Sequence, residues 1–277
     1  MSHLLRYAVN HAVAPRKSFA ELVALTQALG LDAVEMRNDL PATAILDGTD
    51  PAQIRDQAQA GGVRILSINA LQRFNEWNTE REVQARMLAR YAQDCGAAMV
   101  VLCPVNDVAY RLAESERLNG LRLALRALAP ILADAGVIGL VEPLGFQESS
   151  LRLKSEAVEA IEDQGVGDRF RIVHDTFHHY LSGEPHLLPD WTGLVHLSGV
   201  DDPHLPLSGM RDAHRGLVGA ADRLGNIAQI IALLAGGYDG RFSFEPFAAS
   251  VQTSRDVGGD LARSIHWLDA ELAKAQV

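Results

Sequence analysis

Four metal-competent side chains stand at or just beyond the ends of consecutive apolar runs in the second half of the chain. Glu142 follows VIGLV, Asp175 ends FRIVHD, His196 interrupts GLVHL, and Glu245 follows RFSF. Taken singly, a carboxylate at a strand end can cap a helix, and a strand histidine can be a satisfied core residue. Taken together they form a constellation. Three converging carboxylates repel one another and lose hydration, whereas a divalent cation among them makes the same arrangement favourable. Three carboxylate oxygens and one imidazole nitrogen are a mostly hard donor set, suited to one Mn²⁺, Mg²⁺, Co²⁺ or Zn²⁺ ion and unlike a cysteine-rich structural zinc site. Such a centre carries about −1 and leaves positions for two neutral oxygens, a hydroxyl and an adjacent carbonyl, which together define an α-hydroxyketone.

The elements that must position these groups follow a repeated rhythm. Eight short apolar runs recur: LLRYAVN, AVEM, VRILSIN, AMVVLCP, VIGLVEP, FRIVHD, GLVHLSG and FSFEPF. Between them lie segments of helical periodicity with cap signals, including Ser18 to Leu29 closed by Gly30, Asp50 to Ala60 closed by Gly61, and Leu118 to Ala135 closed by Gly136. Several runs are apolar on consecutive residues, as parallel strands covered on both faces must be. No GxGxxG follows the first run and no GxxxxGK[ST] occurs, which removes the main support for a nucleotide-binding open sheet. The expectation is an α/β protein, one (β/α)8 TIM barrel domain over residues 1–277. Polar residues at strand ends of such a barrel share one mouth. On that ground His11, Asn69, Asn106 and His174 also become candidates to line a substrate pocket.

Composition narrows the partners. Of 277 residues, 48% are hydrophobic and 22% charged, and 25 Lys plus Arg against 35 Asp plus Glu give a net charge of −10, which opposes a polyanionic partner. The opening MSHLLRYAVNHAVAP lacks the apolar core and small-residue cleavage site of an export signal, and no run approaches the roughly 20 residues that span a bilayer. A cytoplasmic protein acting on a small molecule, with neither nucleic acid nor membrane as partner, is expected; a homo-oligomer is compatible with this reading. Cys95 and Cys103, both in the apolar stretch DCGAAMVVLC, read as reduced packing residues.

The segments VEPLGF, HDTFHHYLSG, LVHLSGVDD and GYDGRFSFEPF resemble the sugar phosphate isomerase/epimerase superfamily with its xylose-isomerase-like barrel, and especially the 2-keto-myo-inositol isomerases of inositol catabolism. The resemblance covers nearly the whole chain and is densest from Gly139 to Phe247. It implies that Glu142, Asp175, His196 and Glu245 are metal ligands, manganese among the candidate ions. It also implies that Glu142 and Glu245 are the acid/base pair of a proton transfer through a cis-enediolate, and that His178 contacts substrate. Glu148 matches a substrate-binding glutamate of related ketose 3-epimerases, and Arg215 in DAHRG matches an arginine directed toward substrate. The segment RGLVGAADRLGN departs from the family's usual turn after that arginine.

Three other activities fit the same scaffold. An inosose or dehydroshikimate dehydratase begins with the same proton abstraction. An endonuclease-IV-like phosphodiesterase would use His178 with Asp212 and His214, but needs further strand-end histidines where this chain offers INALQRF and LCPVND. A non-catalytic sugar-binding barrel would keep the pocket without needing two acid/base glutamates.

Overall fold

The computed structural model describes residues 3–40, 45 and 48–275. The eight expected runs form eight parallel strands: β1 (Tyr7–Asn10), β2 (Ala33–Arg37), β3 (Arg64–Leu71), β4 (Met99–Leu102), β5 (Ile138–Val141), β6 (Phe170–Asp175), β7 (Thr192–Leu197) and β8 (Phe242–Phe244). They close in sequence order, β8 pairing with β1 through Tyr7 and Phe242. The helices are α1 (Phe19–Ala28), α2 (Pro51–Ala60), α3 (Thr79–Cys95), α4 (Glu114–Ala135), α5 (Lys154–Asp163), α6 (Thr176–Ser182), α7 (Asn226–Ala235), α8 (Ala249–Gln252) and α9 (Val257–Lys274).

Local chemistry explains the helix limits. Ser18 caps α1 in a reciprocal capping box with Glu21, and Gly30 beyond it takes a left-handed φ of +70°, as expected of a glycine stop. Asp50 caps α2, with Pro51 in its first turn. The left-handed residue after α2 is Gly62 rather than Gly61, which remains right-handed. Helix α4 begins four residues earlier than the Leu118 expected, because the Glu116 side chain accepts from the Ala113 backbone amide and stabilises an additional turn. Among the described residues no helix is long and apolar enough to cross a membrane.

The alternation of each strand divides the core in two. Outward-facing residues, including Tyr7, Val9, Met36, Ile172, Val195, Phe242 and Phe244, pack against the helices in the larger cluster. Inward-facing residues, including Ala8, Ala33, Leu66, Val101, Leu140, Val173 and Leu194, fill the barrel floor. Full burial of a Val, Leu, Ile, Phe or Met side chain among these stabilises the fold by about 1.5–3 kcal/mol relative to exposure. A third, smaller cluster of Phe146, Phe177, Leu181, Val200, Met210 and Leu224 joins the segments that follow β5, β6 and β7.

Candidate functional site

Two residues toward the carboxyl end from most floor residues, the same inward-facing row becomes polar; on β3, where the register shifts past Leu66, the polar groups are Ser67 and Asn69 instead. Ala8 leads to Asn10, Ala33 to Glu35 and then Arg37, Val101 to Cys103, Leu140 to Glu142, Val173 to Asp175, and Leu194 to His196. Ser243 likewise leads to Glu245. Strand periodicity of two therefore builds an apolar floor under a polar mouth. Register aligns the layers: Asp175 lies beside His196 and His196 beside Ser243, while Asn10 lies beside Glu35 and Glu35 beside Ser67.

Glu142, Asp175, His196 and Glu245 come together as expected. Each offers one donor atom, these atoms lie within 4.8 Å of one another, and all four residues are buried, so the group could hold a metal ion. The Nδ1 of His196 stands 2.9 Å from Glu142 Oε1, 3.1 Å from Glu245 Oε2 and 3.8 Å from Asp175 Oδ2. Asp175 has two duties, since its Oδ1 accepts from the His178 backbone amide at 2.9 Å and caps α6.

Several residues in this mouth are not apparent from strand-end positions alone. Glu35 is completely buried; its Oε2 accepts from Ser67 Oγ at 2.6 Å and Asn69 Nδ2 at 2.8 Å, and lies 3.2 Å from His196 Nε2. Arg37 donates to Glu245 Oε1 at 2.6 Å, and its remaining donors engage Asp39 at the rim. Asn10 bridges Glu35 and Glu245, 3.2 and 3.3 Å from an oxygen of each. Cys103 does pack against the floor, but its Sγ also lies 3.4 Å from Glu142 Oε2, so it is more than the packing thiol expected. The available signal was parity: in AVEMR, two charged residues occupy the inward positions that follow Ala33.

Electrostatics binds these groups together. Burial alone would raise the Glu35 and Glu245 carboxyls, yet the His196 ring holds both below the ordinary range, with Arg215 and Arg37 adding to the effect on Glu245. Burial would lower His196, but Glu245, Glu35 and Glu142 lift it well above its usual value. The Cys103 thiol is pushed well up by burial and by the Glu142 charge. Burial opposes the charge of Arg37, but Asp39 and Glu245 more than compensate.

The remaining expected contacts divide. Arg215 reaches the centre, donating to Asp175 Oδ2 at 2.5 Å and Glu245 Oε2 at 2.9 Å, with its guanidinium 4.8 Å from the Phe247 ring centre. Arg37 sits 5.0 Å from the same ring. His178 is buried edge-on to Phe146 and Phe177, its Nδ1 without a hydrogen-bond partner among the described residues. Asn69 is in the mouth but serves Glu35. His11 is buried in the turn after β1, its Nε2 committed to the Lys17 carbonyl at 2.8 Å. Glu148 is not drawn into the four-residue group; it is half-buried after β5 and lines shallow clefts with Tyr110 and Arg111 on one side and Met210 and Arg211 on the other.

Two candidates for the pocket lining are corrected. His174 has the opposite parity to Asp175 and faces the helices, where Lys154 Nζ meets its Nδ1 at 2.9 Å and Gln229 its Nε2 at 2.8 Å. Asn106 is exposed and forms an isolated bridge with Ser149. The Asp212 and His214 pair of the phosphodiesterase reading also stays outside the group: Asp212 binds Arg215, and His214 is exposed against the Arg211 backbone.

Similarity to known proteins agrees with this architecture. The chain is 31% identical to a xylose isomerase domain containing protein from Salmonella typhimurium LT2, with 100% of both chains covered and a TM-score of 0.86. The fold is shared with an IolI protein with a bound zinc atom, at 18% identity, 98% and 99% coverage of this and that chain, and TM-score 0.84. It is shared too with D-psicose 3-epimerase from Clostridium cellulolyticum H10, solved with D-tagatose, at 16% identity, 98% coverage of each chain and TM-score 0.70. No curated protein matches the chain in sequence. Residues 23–271 match the xylose isomerase-like TIM barrel family, and with the closed eight-stranded barrel and the Salmonella relative this establishes that the chain belongs to that family.

Proposed function

We propose that this chain is a divalent-metal-dependent isomerase or epimerase of a small polyhydroxy ketone, with 2-keto-myo-inositol the leading candidate substrate. In this reading Glu142, Asp175, His196 and Glu245 hold one ion, and Glu142 and Glu245 exchange the substrate proton. The observation that carries it is the charge balance of the mouth. Glu35, Glu142, Asp175 and Glu245 are four buried carboxylates, against which Arg37 and Arg215 supply two buried guanidiniums. One divalent ion closes that deficit, leaving a near-neutral centre suited to an uncharged polyol rather than a phosphate ester or a free carboxylate. The donor set fits a hard or borderline ion, since all four donors are carboxylate oxygen or imidazole nitrogen.

When bound, the ion supplies Lewis-acid polarisation of the ketone and positive charge to balance an enediolate. The chain's own residues do the rest. Glu142 and Glu245 enter from β5 and β8 and can approach a flat intermediate from separate directions, the arrangement that removing a proton at one carbon and returning it at the next requires. Arg37 holds one oxygen of Glu245 and so directs the other inward. Phe146, Phe177 and His178 form a buried aromatic wall, with the Phe177 ring 5.2 Å from the Arg215 guanidinium. The zinc of the IolI neighbour and the sugar bound to the epimerase neighbour support the same assignment of ion and substrate class.

Incubation of manganese-reconstituted protein with 2-keto-myo-inositol in D₂O tests the reading. An isomer of the starting ketone is expected, carrying deuterium at the carbon that receives the proton to the extent that the abstracting group exchanges with solvent. A product lighter by one water would replace the isomerase with a dehydratase. No turnover of any polyhydroxy ketone by metal-loaded protein would leave a binding barrel.

A further inference from the structure

We propose that Glu35 is a positioning residue for this centre: its carboxylate accepts the Nε2 proton of His196 across the barrel lumen and thereby fixes Nδ1 as the nitrogen offered to the ion. The proposal rests on the metal reading above.

Strand β2 pairs with β1 and β3, and β7 with β6 and β8, so the Glu35–His196 contact is no by-product of strand pairing and spans the barrel interior. His196 is fully buried and its two ring nitrogens have different surroundings, Nδ1 facing Glu142, Glu245 and Asp175 and Nε2 facing Glu35 at 3.2 Å. A ligating imidazole must carry its proton on the nitrogen away from the ion, and a carboxylate there fixes both the tautomer and the ring plane.

Glu35 is built to be that acceptor. Ser67 and Asn69 donate to its Oε2 and Asn10 to its Oε1. With three donors already on its two oxygens, the Glu35 carboxyl is oriented as an acceptor toward the ring nitrogen that faces it. Asn10 also contacts Glu245, so the same lattice of hydrogen bonds runs from Glu35 to a second member of the ligand group. A carboxylate buried at this depth costs several kcal/mol in lost hydration unless it is fully partnered. An apolar residue continuing the Ala33 row would have filled the space without that cost, so the packing of the floor does not by itself call for a charge.

The test compares divalent-ion affinity, by chelator competition with Mn²⁺ and Zn²⁺, between wild type, Glu35→Gln and Glu35→Leu, with unfolding of each metal-free protein followed in parallel. Glu35→Gln keeps the volume and should weaken binding about 10-fold to 100-fold, the usual scale for a residue that orients a ligand; Glu35→Leu should weaken it at least as much. Long-range ¹H–¹⁵N spectra of zinc-loaded wild type, which need no variant, should show His196 protonated at Nε2. Folded variants with wild-type affinity overturn the proposal alone, as does a spectrum in which Nε2 is the zinc-bound nitrogen. A wild-type protein that binds no divalent ion overturns both the metal reading and this proposal.

Discussion

Arg37 on β2 and Glu245 after β8 form a buried ion pair, Nη1 to Oε1 at 2.6 Å, whereas Glu142, the other proposed proton carrier, has no guanidinium on either oxygen among the described residues and meets the Cys103 thiol instead. The two glutamates are therefore unlike in surroundings although alike in position. Arg37→Gln should leave Glu245 short of one buried partner, costing on the order of 3 kcal/mol in stability and releasing its carboxylate from a fixed orientation. Urea unfolding of the metal-free protein and turnover of the metal-loaded protein should both fall; unchanged values for both would show that Arg215 and Asn10 alone hold Glu245.

Glu142→Gln and Glu245→Gln should each lower turnover by about 10²-fold or more, the scale for losing a positioned acid or base. His178→Ala should be milder and raise KM as well. The decisive control is metal content, because each glutamine also replaces a proposed ligand. A metal-loaded glutamine variant that turns over like wild type would sink the paired assignment.

One divalent ion per chain is expected after reconstitution, counted by elemental analysis. Chelation should abolish turnover, and added Mn²⁺, Co²⁺ or Zn²⁺ should restore it to differing extents. Removal should also lower the thermal midpoint, since a ligand that binds only the folded chain stabilises it by mass action. Full turnover in rigorously metal-free protein is the contrary outcome.

Stability should fall on acidification through a group outside the mouth. Burial first, and then the nearby Lys154 charge, hold His179 down at about 4, against an ordinary 6.5. The folded state keeps the ring neutral while the unfolded chain takes up the proton, so this contribution is fully present above about pH 6.5 and is lost as pH falls toward about 4. His179→Asn should flatten the pH dependence of unfolding in that window, measured on metal-free protein at several pH values. A profile as steep as wild type would assign the acid loss to other groups.

The sequence by itself determined the barrel and the four-residue centre. Eight apolar runs alternating with capped helical segments admit few other closures, and polar side chains at the carboxyl ends of parallel strands share one mouth, so Glu142, Asp175, His196 and Glu245 were legible as candidates from position, alongside His174 and Asn106, which the structure places elsewhere. The parity rule could have added Glu35 and Arg37, but AVEMR is short and gives no sign of which face is the lumen until the barrel closes. Parity also separates His174 from Asp175, neighbours in sequence that face opposite sides of the sheet. Contacts across the lumen, Glu35 to His196 and Arg37 to Glu245, join residues 161 and 208 positions apart. No local preference encodes such pairs: they depend on how eight twisted strands stagger around a common axis, and only tertiary structure fixes that stagger.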